Sequence, residues 1–298
     1  MRLALSAEQA GFAAVLHDAA GDWARLRDAG VTGLAVPERW GGSGADSTDL
    51  VVAFEELGHH AVPGPLAETL AVVPTLLADI GGEKWLPELA AGQLRATLAA
   101  PPWLPYAAGP ADLLLWAGTD TVRLCRAGDE HVSIDPTRQL FEVIAGDVLD
   151  SGPETAVAIA RAMDLGVLVV AAQLLGAGRA LLEEAVSYAR TRTQFGRPIG
   201  RFQAVQHRLA DVAVGLEFAR PLLHAAAVTS LPRDVSAAKV ACGDAAHRAA
   251  RAALQVHGAI GYTREHGLHR WLTKVQVLTQ AWGTPAQHRA RVLADLTR

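Results

Sequence analysis

Cysteine is nearly absent: Cys125 and Cys242 are the two in 298 residues, far apart and without metal-ligand spacing around either. Neither a disulfide framework nor a zinc site is suggested, and a cytoplasmic location is expected. Aromatic residues are also scarce, at 5 %, in a chain that is 50 % hydrophobic and rich in Ala and Leu. Such a composition disfavours sandwiches and barrels of β-branched and aromatic residues and favours close-packed helices. No excess of positive charge exists, with 27 Lys and Arg against 31 Asp and Glu, so a nucleic-acid partner is not expected. Long apolar runs are missing too. The strongly apolar uncharged stretch 165–178 falls short of the roughly 20 residues that cross a bilayer and reads as a buried core helix. The N-terminus lacks the unbroken apolar stretch of an export leader.

What is present divides by texture. Residues 1–100 alternate helical patterns with turn signals and read as an N-terminal helical domain, with Ser47 as an N-cap, Gly58 as a helix stop and a further helix over 66–80. Residues 101–152 carry Pro101, Pro102, Pro105 and Pro110 followed by short alternating runs, a small β region of about fifty residues. From 153 to 298 the pattern is helical again, over 154–193, 201–228, 233–257 and 266–298, enough for a four-helix bundle. The fold class expected is mainly α with a truncated β middle.

Several strings are similar, in order and spacing, to the acyl-CoA dehydrogenase family. The N-terminal part has Gly33, Pro37, Glu38, Trp40, Gly41, Gly42 and Gly44, then the Phe54, Glu55, Glu56, Leu57, Gly58 helix end and the segment 82–92. The C-terminal part has Arg192, Gln194, Phe195 and Gly196 with Gln203, resembling the family's R-x-x-F-G turn, and Gln255, Gly258, Ala259 and Gly261, resembling its Q-x-x-G-G-x-G loop with Ala259 for the second Gly. The residue types suit a dinucleotide: a guanidinium grips phosphate in a planar fork, Phe195 offers a flat face, and small residues let backbone N–H groups approach. The resemblance implies FAD, with these residues reaching the diphosphate and adenine of a flavin held by a neighbouring subunit. Thr284 and Gln287 match a further T-x-x-Q flavin contact of the family.

The family's reaction needs a carboxylate that takes the proton beside the thioester carbonyl. Most members carry it as a Glu followed by Gly-Thr; here Gly283 and Thr284 are preceded by Trp282, whose indole cannot accept a proton. Other members carry it on the helix before the R-x-x-F-G turn, a place that falls near Gly166. Asp164, two residues away, points about 200° off that direction on a helix. The family strings that hold the flavin ring are missing between 94 and 150. No catalytic residue is therefore assigned. The chain resembles the short subunit of actinobacterial heteromeric acyl-CoA dehydrogenases of sterol and related degradation, which implies an α₂β₂ assembly with a full-length subunit, no membrane and no metal.

Alternatives stay open: a non-enzymatic structural or acyl-binding module without flavin, or a self-sufficient enzyme using Asp164. Gly176 and Gly178 lack the third glycine of a dinucleotide fingerprint. Glu265, His266 and His269 could share a helix face but read as a polar patch. Trp282 is expected to plug the cavity where acyl chain and base would meet.

Overall fold

The structure is a computed structural model describing residues 5–19 and 21–297; the first four residues, part of the leader reading above, lie outside the described residues. Five helices come first: α1 (Ala7–Ala19), α2 (Trp23–Asp28), α3 (Ser47–His59), α4 (Val73–Asp79), entered through a single π-helical stretch at Glu68–Val72, and α5 (Leu86–Ala90). The N-cap of α3 is Asp46 rather than Ser47, because the Asp46 carboxylate accepts from both Thr48 N and Asp49 N. Gly58 does not stop the helix either. It keeps helical conformation because it is a packing glycine, not a left-handed cap.

Six strands follow: β1 (Ala96–Ala99), β2 (Ala107–Gly109), β3 (Leu113–Ala117), β4 (Thr121–His131), β5 (Gln139–Ile144) and β6 (Val148–Ser151). They form one sheet in the order β1-β3-β4-β5-β2, with β6 on the near end of β4. The β1–β3 pair is parallel and the other pairs are antiparallel. The sheet begins at Ala96, slightly before the change of texture in the sequence. Its far loop is tied to the helices by buried ion pairs, Arg138 to Glu68 at 3.3 Å and Asp135 to Lys274 at 3.3 Å.

The remainder is helical: α6 (Pro153–Thr191), a two-residue hairpin of β7 (Thr193–Gln194) and β8 (Arg197–Pro198), then α7 (Gln203–Thr229), α8 (Pro232–His257), α9 (His269–Gln280) and α10 (Pro285–Leu296). Pro153, Pro232 and Pro285 each open a helix, where the missing N–H has no partner to lose. The single helix expected over 266–298 is two. Trp282 (φ +62°) and Gly283 (φ +93°) are both left-handed, which no α-helix continues. Lys239 closes the end of α9 by donating to Leu278 O (2.8 Å) and Thr279 O (3.3 Å).

α6 is the centre of the molecule. Its most apolar window is 83 % buried inside protein, as a core helix rather than a membrane span requires. It crosses α3 on glycine from both sides: a Cβ on Gly176 would overlap the Glu55 carbonyl oxygen, and one on Gly58 would overlap the Gln173 carbonyl. That close approach is what Gly176 does in a string that otherwise hints at a nucleotide loop.

Candidate functional site

At the C-terminal end of α6 the chain leaves the bundle as a tight prong. Gln194 pairs with Arg197, and the two residues between them, Phe195 (φ +52°) and Gly196 (φ +77°), both have positive φ, the signature of a type I′ hairpin turn. Phe195 is 90 % exposed although a non-glycine residue in this region costs on the order of 1 kcal/mol. Its ring meets Phe202 edge-on at 6.1 Å, and the Arg197 guanidinium lies 4.2 Å from the Phe202 ring, which stiffens the prong. Arg192, Gln194 and Gln203 are exposed on the same corner. Among the described residues neither Arg192 nor Arg197 forms an ion pair.

The second segment sits at the end of α8. Gly258 adopts φ +63°, ψ −138°, open in practice to glycine, and turns the chain into a short 3₁₀ stretch over Gly258–Tyr262. Gly261 is buried, with Leu254 and His257 so near that a Cβ would lie 3.0 Å from the His257 Cβ. Gln255 and Ala259 are exposed. One contact joins the two segments: Tyr188, near the end of α6, stacks on His257 with centroids 4.4 Å apart. His257 Nδ1 donates to Ala253 O at 2.7 Å, and burial lowers its pKa, so the ring stacks in its neutral form. Neither residue is among the site residues read from the sequence, because the stack joins two separate helices. His266 packs edge-on against His257 at 4.5 Å; Glu265 and His266 precede α9 rather than sharing a helix face with His269.

The donors gathered here suit a diphosphate and a purine: an unpaired guanidinium, three primary amides on open surface and a glycine-shaped loop. They fit the phosphate and adenine end of FAD. Thr284 and Gln287 stand elsewhere, as a capping box on α10. Gln287 Oε1 accepts from Thr284 N (2.7 Å) and Thr284 Oγ1 (2.9 Å), leaving the Gln287 amide NH₂ for an outside acceptor.

Trp282 and Gly166, the two places to which the family resemblance assigns a base, are in contact. A Cβ on Gly166 would lie 2.5 Å from Trp282 Cε3 and would overlap Cζ3 and Cη2 of the same ring. Trp282 is 1 % exposed, held in its left-handed conformation by His288, whose Nε2 donates to Trp282 O at 2.9 Å. Since the carbonyl can only accept, His288 carries its proton on Nε2 and its Nδ1 accepts from Ser236 Oγ at 3.2 Å. Trp103 closes the other side of His288 at 5.2 Å. Asp164 is drawn away from this space by a two-pronged pair with Arg291, at 2.5 and 2.9 Å.

The plug has an acid-stability consequence. Burial pushes the His288 pKa down to about 4 from 6.5. The unfolded chain binds this proton first, so stability is complete above about pH 6.5 and falls as pH drops towards 4, by roughly 3 kcal/mol at about 1.4 kcal/mol per pH unit. Urea midpoints measured from pH 7 to pH 4.5 should fall in the native chain and run flatter in His288→Gln. Parallel profiles would remove His288 as the source.

Residues 155–297 match the family model for the C-terminal domain of acyl-CoA dehydrogenase, and residues 5–93 match the model for its N-terminal domain. Acyl-CoA dehydrogenase IpdE2 of Mycobacterium tuberculosis is 32 % identical across 98 % of this chain and 94 % of its own length. The protein of the same name from Mycolicibacterium smegmatis is 32 % identical across 90 % of this chain and 85 % of its own. Among solved structures, the ChsE4–ChsE5 complex of Mycobacterium tuberculosis includes a chain that superposes with a TM-score of 0.86 at 23 % identity, covering 100 % of this chain and 99 % of that one.

Proposed function

The chain belongs to the acyl-CoA dehydrogenase family, and on that premise we propose that it is the non-catalytic subunit of a heteromeric, FAD-dependent acyl-CoA dehydrogenase. In this reading a full-length partner supplies the base and the pocket for the flavin ring, in an α₂β₂ arrangement, and FAD lies at the interface between the two kinds of subunit.

The observation that carries it is the contact between Gly166 and Trp282: the Trp282 ring fills the space beside Gly166, which supports the reading that neither place for a base is open to substrate. The binding residues, by contrast, face outward. Arg192, Gln194 and Phe195 project on an exposed prong, and among the described residues the side chains of Arg192 and Gln194 form no hydrogen bond or ion pair. An apolar row on α7, Val214, Phe218 and Leu222 at four-residue spacing, is 48–73 % exposed, as a subunit surface requires. The comparison with a solved two-subunit complex adds support by analogy of fold.

When bound, FAD supplies hydride acceptance for the oxidation of a CH–CH bond next to the thioester. The work left to this chain is electrostatic and steric. Arg192 balances the diphosphate charge; Gln194, Gln203 and Gln255 offer amide donors and acceptors; Gly258, Ala259 and Gly261 keep side chains from shielding backbone N–H groups. Thr284 with Gln287 would add an amide contact from α10. Trp282 keeps water and acyl chain out of this chain's own core.

The test is purification with and without a co-expressed full-length homologue, reading flavin absorbance and acyl-CoA oxidation, with a sterol side-chain thioester as the first substrate. Stoichiometric flavin and turnover are expected from the pair and neither from the chain alone. Full turnover from the chain alone overturns the proposal, and an Asp164→Asn variant then asks whether that carboxylate is the base. Absence of flavin in every pairing points instead to a structural or acyl-binding module.

A further inference from the structure

Away from the flavin surface, four metal-ligating side chains meet where α1 lies on the C-terminal end of α3. His17 of α1, Glu56 and His59 of α3, and His60, which caps α3, each bring one ligand atom to within 4.8 Å of the others. His17 Nδ1 stands 2.9 Å from Glu56 Oε2 and 3.2 Å from His60 Nε2. A tetrahedron built on zinc–nitrogen bonds of about 2.0–2.1 Å has edges of about 3.4 Å, so two edges are already close to that length.

The cluster is poorly explained as a hydrogen-bonded one. The three imidazole rings contact one another pairwise, with centroids 4.5–5.0 Å apart. Each neutral ring has a single donor and a single acceptor, and protonating any one sets a cation against its neighbours. His59 is 91 % buried and its Nδ1 has no hydrogen-bond partner. The surroundings are arranged as ligand supports. Arg179 holds Glu56 Oε1 at 3.0 Å, which leaves Oε2 to face His17. Glu183 Oε2 lies 2.8 Å from His59 Nε2, so coordination through Nδ1 would complete a carboxylate–histidine–metal relay and satisfy the orphan atom. Three carboxylates, Glu55, Glu56 and Glu183, stand against the one guanidinium of Arg179 with a further share of Arg220 on Glu55.

We propose that His17, Glu56, His59 and His60 form a binding site for a divalent transition-metal ion of the zinc type, which fastens α1 to α3. Imidazole with one carboxylate selects such an ion over magnesium or calcium, whose sites are built from oxygen. The site is independent of the flavin reading and uses none of its residues.

The experiment takes the full-length, tag-free chain, stripped with a chelator, and titrates it with zinc against a chromogenic competitor. One equivalent should bind, Co²⁺ should give the intense visible bands of tetrahedral coordination, and zinc should raise the melting temperature. The double variant His17→Ala, His60→Ala should bind about 100-fold more weakly or worse, while keeping the wild-type melting temperature in chelator, since His17 is half exposed and His60 partly so. His131→Ala, altering a surface histidine held by Glu142, should bind as wild type. No saturable zinc binding, or equal binding by wild type and the double variant, overturns the proposal. The weak bands of octahedral Co²⁺ do the same.

Discussion

Arg192→Ala is expected to strip flavin from the assembled enzyme while leaving the chain folded. Removing one side of a desolvated, hydrogen-bonded charge pair costs about 2–5 kcal/mol, a rise in flavin Kd of about 30-fold to several thousand-fold at about 1.4 kcal/mol per tenfold. The side chain has no ion pair among the described residues and is exposed, so the melting temperature of the isolated chain should stay unchanged. Arg192→Lys should recover only part of the affinity, because an ammonium presents a point charge where a diphosphate takes a planar fork. Flavin occupancy after gel filtration of the heteromer, by absorbance, measures both. Equal occupancy in wild type and Arg192→Ala removes the prong from the cofactor site.

Gly166→Glu, which places a carboxylate at the second position to which the family resemblance assigns a base, is expected to break the fold rather than create an enzyme. The new side chain meets the buried Trp282 ring at once. Overpacking costs about 1–3 kcal/mol and an unpaired buried carboxylate several more, a large part of a total stability of about 5–15 kcal/mol. Gly166→Ala isolates the first part and should lose about 1–3 kcal/mol in urea unfolding. If the ring is the obstacle, Trp282→Gly combined with Gly166→Ala should cost less than the sum of the two, with a coupling of about 1 kcal/mol or more. Additive losses would place the two residues in separate spaces.

The mainly helical class was legible because it depends on local signals. The periodic segments at 154–193, 201–228 and 233–257 become α6, α7 and α8 with ends within a few residues, and prolines mark three helix starts. The break inside 266–298 was the less visible because apolar spacing continues through it; the cue was Gly283, Thr284 and Pro285 in a row, a left-handed glycine, a cap and a first-turn proline. Contacts made by one side of a helix with a distant one left no local trace. Nothing in the sequence says that Gly176 meets Glu55, or that Gly166 faces Trp282, because a glycine records only that something is near. The site divides the same way. Arg192 to Gln203 and Gln255 to Gly261 are contiguous strings and could be quoted in full, whereas the Tyr188–His257 stack and the Asp164–Arg291 pair join separate helices. The histidine cluster escaped notice for that reason as well: His17 is far in sequence from the three residues it meets.

The length of α6 carries one last implication. From Gly166 at the plug to Thr191 at the prong is unbroken helix, about 38 Å at about 1.5 Å per residue. A rod of this kind sets phase as well as distance: each residue is worth about 100° of rotation. Adding or removing one residue between the α3 crossing at Gly176 and the prong would turn Arg192 by about 100° about the axis of α6. The direction in which the prong points is thus counted out in helical residues, whereas a residue more or less in a loop carries no angle with it.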